Sequence, residues 1–163
     1  MTIQTKRDMF ERELKKLYHA ELEILDLHGD LSEAAASEEV SALFAAHRED
    51  TVAQIDRIER AFSAIGLEPE ARSSQIMEGL VAEKDEFVDE VEDDDLRDLD
   101  AIGIGSINER FEITILDRLL LLAEELDLPV EVSEDLGENR AEAAAALDRM
   151  QGFVERDRGD RTA

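Results

Sequence analysis

The chain has 163 residues, of which 43% are apolar, and its formal net charge is −25. This length predicts a single domain, and the apolar share excludes a disordered acidic polymer. The large negative charge excludes nucleic acids and anionic membranes as partners, because both are polyanions. The chain contains no cysteine, which excludes disulfides and thiolate metal sites. It also lacks a signal-peptide core and an apolar run of about 18 residues, so we expect a cytoplasmic protein.

The basic residues are unevenly divided, since four are Lys and 14 are Arg. Many carboxylates with few lysines are typical of proteins adapted to high salt, where screening reduces the repulsion between like charges. The composition therefore predicts a halophilic protein. An ordinary acidic cytosolic protein is the alternative, but a net charge of this size would strain a compact fold at low salt.

Helix-forming residues dominate the chain and predict four long helices and one short helix. The first helix spans about residues 5–36, and Ser37 is a typical N-cap for a second helix that runs to about residue 65. Gly66 and then Pro69 mark its end, since glycine and proline commonly follow helix C-termini. A shorter amphipathic helix covers residues 73–91.

The second half of the chain continues in long helices. A third long helix spans about residues 96–126 and contains Gly103 and Gly105, which we expect at a close approach between helices or subunits or, alternatively, at a kink. The fourth follows the turn at Pro129 and runs to about residue 154. We therefore expect one domain at residues 1–156 and a polar tail at residues 157–163. A long crossover between the second and third long helices predicts an all-α, ferritin-like four-helix bundle with an extra short helix.

The apolar stripe of the first helix contains a carboxylate. Its members recur at alternating steps of four and three, the spacing of a buried seam. They are Phe10, Leu14, Leu17, Glu21, Ile24, His28 and Leu31. A buried carboxylate must lose its charge or find a partner, and for Glu21 that partner is a metal ion or, alternatively, Arg140 or Arg110. His28, one heptad after Glu21, is expected to be structural.

Ligand-type side chains also interrupt the inward faces of the other long helices. The second helix offers His47 and Asp50, three residues apart on one side. The third offers Glu112 beside its apolar stripe, with Glu109 nearer to the rim. The fourth offers only the neutral Asn139. A ferritin-like dimetal site needs about six protein ligands, so this set predicts a reduced site.

Helical projection assigns the inward faces of the third and fourth helices. The predicted stripe of the third helix comprises Ile104, Ile107, Phe111, Ile115, Leu119 and Leu122. On the fourth helix, the projection turns Glu138 and Glu142 outward, and a shift of one residue would return one of them to the core.

Five short segments carry a resemblance to known proteins. They are Leu17-Tyr18-His19-Ala20-Glu21, His47-Arg48-Glu49-Asp50-Thr51, Met77-Glu78-Gly79-Leu80-Val81, Glu109-Arg110-Phe111-Glu112-Ile113 and Leu122-Ala123-Glu124-Glu125-Leu126. In this order and at these separations, they resemble the YciE/YciF-type ferritin-like family of bacterial and archaeal proteins linked to stress responses. The resemblance covers nearly all of residues 9–150. It implies a dimetal carboxylate bundle that forms homodimers and, with the acidic composition, a member from a halophilic archaeon.

The sequence departs from the family pattern at positions that bear on the site. The family usually has Glu at the position of Asp50 and His at the position of Arg110. In its fourth helix the family typically has an acidic stretch, whereas the matching core-facing positions here are Asn139 and Ala143. These departures put a complete dimetal site in doubt.

Two functions are consistent with these residues. In the first, the bundle core holds one or two ions, iron or manganese, and the candidate ligands are Glu21, His47, Asp50, Glu112 and Glu109. Any reaction would then be oxidation of the metal by oxygen or peroxide, an expectation from the fold alone. In the second, the site has decayed, no metal is bound, and a non-catalytic homodimer acts in stress protection through association. The losses on the fourth helix favour weak or absent dimetal chemistry.

Overall fold

The structure is a computed structural model that describes residues 2–162, with side chains up to residue 159. This part of the chain forms five α-helices and no strand. The helices are α1 (Lys6–Ala34), α2 (Glu38–Ala64), α3 (Gln75–Glu90), α4 (Asp94–Glu125) and α5 (Val130–Thr162). The predicted order of two long helices, one short helix and two long helices is confirmed.

Local capping residues set the helix boundaries. Thr5 and Asp8 form a capping box at the start of α1, in which each side chain accepts a hydrogen bond from the other residue's backbone. Ser37 caps α2 by accepting a hydrogen bond from the backbone N–H of Val40, as predicted. After α2, Gly66 adopts a φ of 77°, a left-handed conformation that glycine tolerates.

The last helix is longer than the sequence predicts. Its backbone stays helical to Thr162, whereas we expected an end near residue 154. The segment after Val154 contains Glu and Arg, which are good helix formers, and no proline that would stop the helix. The expected tail at residues 157–163 therefore does not begin at a helix boundary, and residue 163 lies outside the described residues.

The four long helices form a ferritin-like bundle. Helix α1 packs against α2 and α4, and α5 packs against the same two helices from the opposite corner, so α1 and α5 are diagonal. Residues 65–93 form the crossover that connects α2 to α4. No described helix has an apolar stretch long enough to cross a membrane.

The short helix α3 packs on its own bundle, against α1 and α4. Met77, Leu80 and Phe87 are buried in a cluster with residues of the long helices. Lys84 adds an ion pair to α1, with its Nζ 2.6 Å from Asp30 Oδ2. One apolar face of this helix is thus covered within one chain, while Ile76 and Val88 stay 63% and 37% exposed.

Two apolar clusters fill the bundle, one toward each end. One includes Ile24, Phe44 and Met150, and the other includes Phe10 and Phe62. Between the clusters, each long helix contributes buried polar side chains instead of apolar ones. The candidate site is this polar layer in the middle of the bundle.

The inward face of α4 is rotated from the predicted one. Asn108 and Glu112 are 0% and 2% exposed, which places the centre of the buried face between these positions. Ile107, predicted to point inward, is 54% exposed. Glu109, predicted nearer to the rim, is only 3% exposed because it lies on the same side as Asn108 and Glu112.

Candidate functional site

The polar layer draws on all four long helices. Its side chains are at most 6% exposed, although each carries a group that prefers water. They are Glu21 and His28 on α1, His47, Thr51 and Gln54 on α2, Asn108, Glu109 and Glu112 on α4, and Asn139 on α5.

Three carboxyl groups meet in this layer, and we call Glu21, Glu109 and Glu112 the carboxyl cluster. Glu112 lies close enough to act electrostatically on both Glu21 and Glu109. Burial raises the pKa of Glu21 well above its usual range, and repulsion from Glu112 raises it further. Burial and then Glu112 raise the pKa of Glu109 in the same way. The raised pKa values mean that Glu21 and Glu109, without a cation, keep their protons to a higher pH than exposed carboxyl groups do.

No Lys or Arg among the described side chains forms an ion pair with a member of the carboxyl cluster. Arg140, which we proposed as an alternative partner of Glu21, instead donates to Asp117 on the surface. Arg110, the other proposed partner, is exposed. The ion-pair interpretation of Glu21 is therefore wrong, because both arginines point away from the core. Asn108 is a neutral neighbour and donates to Glu112 Oε2 at 3.0 Å.

Two imidazoles line the same layer. The rings of His28 and His47 lie 5.5 Å apart between centroids. Burial lowers the pKa of His28 to about 3, and the nearby His47 contributes to this shift. Burial lowers the pKa of His47 to about 4, assisted by the charge of Arg149. Both rings are therefore neutral at pH 7, the form in which imidazole binds a metal.

Several polar atoms in this layer have no hydrogen-bond partner among the described residues. They include Glu21 Oε2, His28 Nε2 and His47 Nε2. Buried polar atoms are nearly always partnered in folded proteins, so each of these needs an explanation. An oxygen and two neutral imidazole nitrogens are donors that suit a divalent transition metal.

Two acidic side chains form the outer edge of the site. Asp50 is 45% exposed, and its Oδ2 lies 3.8 Å from His47 Nδ1. Glu142 is 27% exposed and acts electrostatically on Glu21. Glu142 is thus not turned fully outward as predicted, whereas Glu138 is exposed and pairs with Arg57. Arg57 pairs with Glu142, and Arg57 and Arg149 both act electrostatically on Asp50, so the edge of the site facing solvent carries charges of both signs.

At the centre of the layer, helix α5 has no side-chain atom that is free to bind a metal. The amide oxygen of Asn139 accepts from Arg57 at 3.0 Å, and its nitrogen donates to the backbone oxygen of Gln54 at 3.2 Å. Glu142 accepts from both Gln54 and Arg57 at 2.9 Å. Ala143 is buried and carries no donor.

The structure brings together most of the candidate ligands. Glu21, Glu109, Glu112 and His47 are buried in one layer, with Asp50 at its edge. Within the described residues, no group of three or more His, Asp or Glu side chains is arranged to hold a metal ion. His28 also belongs to the layer, although we expected a structural role. The signal that could have identified it was its position on the seam, one heptad after Glu21.

Comparisons with known proteins identify relatives with similar sequences and similar structures. Protein YciF of Escherichia coli K12 is 32% identical over 127 residues, which cover 77% of this chain and 76% of that protein. The crystal structure of the E. coli stress protein YciF superposes with a TM-score of 0.88 and 28% identity, covering 93% of this chain and 95% of that chain. YcfI from Rhodopseudomonas palustris gives a TM-score of 0.88 and 29% identity, covering 91% and 94%.

The match to a family extends over almost the whole sequence, from the N-cap of α1 to the end of the chain. Residues 5–163 match the family described as domain of unknown function DUF892, and the chain therefore belongs to the DUF892 family.

Proposed function

We propose that this protein is a stress-response member of its family that binds a divalent transition metal in the polar layer, with Glu21, His47, Asp50, Glu109 and Glu112 as ligands. The resemblance to the E. coli stress protein YciF supports the stress role. The single observation that carries the metal proposal is the buried carboxyl cluster, which forms no close ion pair with Lys or Arg among the described side chains, although the charge of Arg149 acts on Glu109.

The energetics of the carboxyl cluster support a cation. Burying an ionised carboxylate without a partner costs several kcal/mol, so without a cation Glu21 and Glu109 favour their protonated forms. A divalent ion would replace those protons and neutralise the charge, as metal ligands generally require. Because the side chains are not arranged to hold an ion as they stand, binding requires the carboxyl groups to release protons and rotate.

The ligand count supports one ion rather than two. A ferritin-like dimetal site takes about six protein ligands, with contributions from all four helices. Here Asn139 uses both atoms of its amide in other hydrogen bonds, and Ala143 has no donor. We therefore propose about one ion per chain.

Iron or manganese suits a set of carboxylates with an imidazole. When bound, such an ion would be oxidised by oxygen or peroxide. The residues of this chain would orient it, neutralise its charge and admit it past Asp50 and Glu142 at the edge of the layer. We also propose, from the resemblance and the composition, a homodimer in the cytoplasm of a halophilic archaeon.

The test is the metal content of the native protein. The chain is purified at high salt without chelator or nickel affinity, and iron, manganese and zinc are measured by elemental mass spectrometry. We expect about one ion per chain in the wild type. The double variant Glu21→Gln, Glu112→Gln should lose it, while the exposed control Glu124→Gln should retain it.

Thermal melting with and without chelator provides a second readout. Chelator should lower the melting temperature of the wild type, because an ion that binds only the folded state stabilises it. A wild-type protein without metal, and with a melt unchanged by chelator or by added iron and manganese, would overturn the proposal. The alternative would then stand, in which a metal-free bundle acts through association with other macromolecules. The observation that favours it is that Asn139 is engaged in other hydrogen bonds and Ala143 carries no ligand atom.

A further inference from the structure

The hydrogen bonds of Thr51 indicate which nitrogen of His28 carries the proton. The hydroxyl oxygen of Thr51 is 2.9 Å from the backbone oxygen of His47, which can only accept, so the hydroxyl donates there. His28 Nδ1 is 3.2 Å from the same hydroxyl oxygen. Because the hydroxyl hydrogen is already used, this oxygen accepts from His28, and Nδ1 carries the hydrogen.

The other nitrogen of His28 is therefore an unprotonated lone-pair donor inside the bundle. His28 Nε2 has no hydrogen-bond partner among the described residues, and the residue is 2% exposed. The carboxylate oxygen Oε1 of Glu109 lies 3.8 Å from His28 Nε2. This distance is too long for a hydrogen bond but leaves room for the two groups to approach one ion.

We propose that His28 Nε2 is an additional ligand of the ion, acting with Glu109, and that Thr51 is its positioning residue. This inference rests on the proposed function and extends it to metal preference. A metal-binding histidine typically donates its second nitrogen to a fixed acceptor, which sets the tautomer and the ring orientation. His28 and Thr51 form such a pair across α1 and α2.

A second imidazole changes which metals the site prefers. Carboxylates alone suit Mn²⁺ and Mg²⁺, whereas imidazole favours Fe²⁺, Co²⁺ and Zn²⁺. His28 is on the seam position that follows Glu21 by one heptad, so α1 supplies two ligands where α5 supplies none. The site therefore binds Fe²⁺, Co²⁺ or Zn²⁺ in preference to Mn²⁺.

The experiment is calorimetric titration of the metal-free protein with Co²⁺ and with Mn²⁺ as probes. His28→Leu should weaken Co²⁺ binding by about tenfold or more and Mn²⁺ binding less. Thr51→Val should weaken Co²⁺ binding by about tenfold while keeping the ligand itself. Thr114→Val is the matched control, because Thr114 makes the same hydroxyl bond to a backbone oxygen four residues earlier, but at an exposed position on α4.

A second measurement needs no variant that alters folding. Long-range ¹H–¹⁵N correlation spectra of the metal-free wild type should show His28 with its hydrogen on Nδ1. Thr51→Val should change this signal. A hydrogen on Nε2 in the wild type would overturn the inference regardless of any titration.

The outcomes separate the two proposals. If the wild type binds neither Co²⁺ nor Mn²⁺, the proposed function fails and the role of His28 fails with it. If the wild type binds Co²⁺ and a folded His28→Leu variant binds it equally well, only the inference about His28 is wrong. Selective loss of Co²⁺ affinity in both His28→Leu and Thr51→Val supports it.

Discussion

Glu21 couples the stability of the metal-free protein to pH. In the folded state its carboxyl keeps a proton, because burial and Glu112 raise its pKa well above the ordinary value of 4.5. In the unfolded chain it releases that proton near its ordinary pKa. The folded state therefore binds more protons between these two pKa values, and the free energy of unfolding falls as the pH rises through this window.

Glu21→Gln should remove this pH dependence. Relative to the metal-free wild type, the variant should gain stability with rising pH, by up to about 1.4 kcal/mol per pH unit within the window. The measurement is urea unfolding of both proteins between about pH 5 and 8. His28 and His47 have lowered pKa values in both proteins, so their contribution cancels in the difference.

The control for this experiment is Glu49→Gln, which removes a carboxyl at an exposed position of α2. This control should follow the wild-type curve. Parallel curves for Glu21→Gln and the wild type would show that Glu21 is ionised in the folded state and would contradict its raised pKa.

Helix α4 organises the ends of the other helices through its first turns. Asp98 accepts hydrogen bonds from the backbone N–H groups of Ala36, at 2.7 Å, and Ser37. Arg97 donates to the backbone oxygens of Ala34 at 2.9 Å and Val91 at 2.6 Å. Two adjacent side chains thus satisfy backbone groups at the ends of α1, α2 and α3, which fixes how these helices meet.

The two glycines of α4 have different roles. A Cβ on Gly105 would lie 2.7 Å from Phe44 Cε1 and 3.0 Å from Met150 Cε, whereas a Cβ on Gly103 would meet nothing within 4 Å. The expected close helix approach is therefore confirmed at Gly105 only. Gly105→Ala must displace a fully buried Phe44 ring and should lower the free energy of unfolding by about 1–3 kcal/mol.

Gly103→Ala is the matched control on the same helix. It should raise the free energy of unfolding by about 0.5–1 kcal/mol, because alanine favours helix and finds open space there. Urea denaturation of both variants measures the difference. Equal effects of the two substitutions would contradict the close approach at Gly105.

The whole molecule carries a net charge of −25, so its folded state is under self-repulsion. Salt shortens the range of that repulsion, from about 10 Å at 0.1 M to about 3 Å at 1 M. The halophilic origin stays a prediction that follows from this charge. The homodimer implied by the family resemblance also stays a prediction, and the solution mass of the protein tests it.

Stability should rise with salt. Between about 0.1 and 2 M KCl we expect the melting temperature to increase by at least about 5 °C. A variant with four exposed glutamates of α3 replaced by glutamine should depend less on salt. Those residues are Glu78, Glu83, Glu86 and Glu90. A melting temperature that does not change with KCl would contradict the halophilic interpretation.

Local sequence signals are enough to predict the helices, their order and the bundle. Helix starts depend on contacts within one turn, as at Thr5 and Ser37, and the turn after α2 depends on Gly66. The seam of α1 is a simple periodic pattern, and all seven of its predicted members are buried. Such local signals need no knowledge of the other helices, so they also located Glu21, His47 and Glu112 in the core.

Which side chains meet depends on how the helices pack against one another. A small rotation of α4 moved Glu109 into the core and Ile107 out of it, and this rotation is set by packing against α1, α2 and α5. Arg140 turned to Asp117 instead of Glu21, because the surface lets it keep its hydration. The link from Thr51 to His28 joins positions 23 residues apart on two helices. Such contacts depend on how helices are rotated and spaced, which the periodicity of a single helix does not contain.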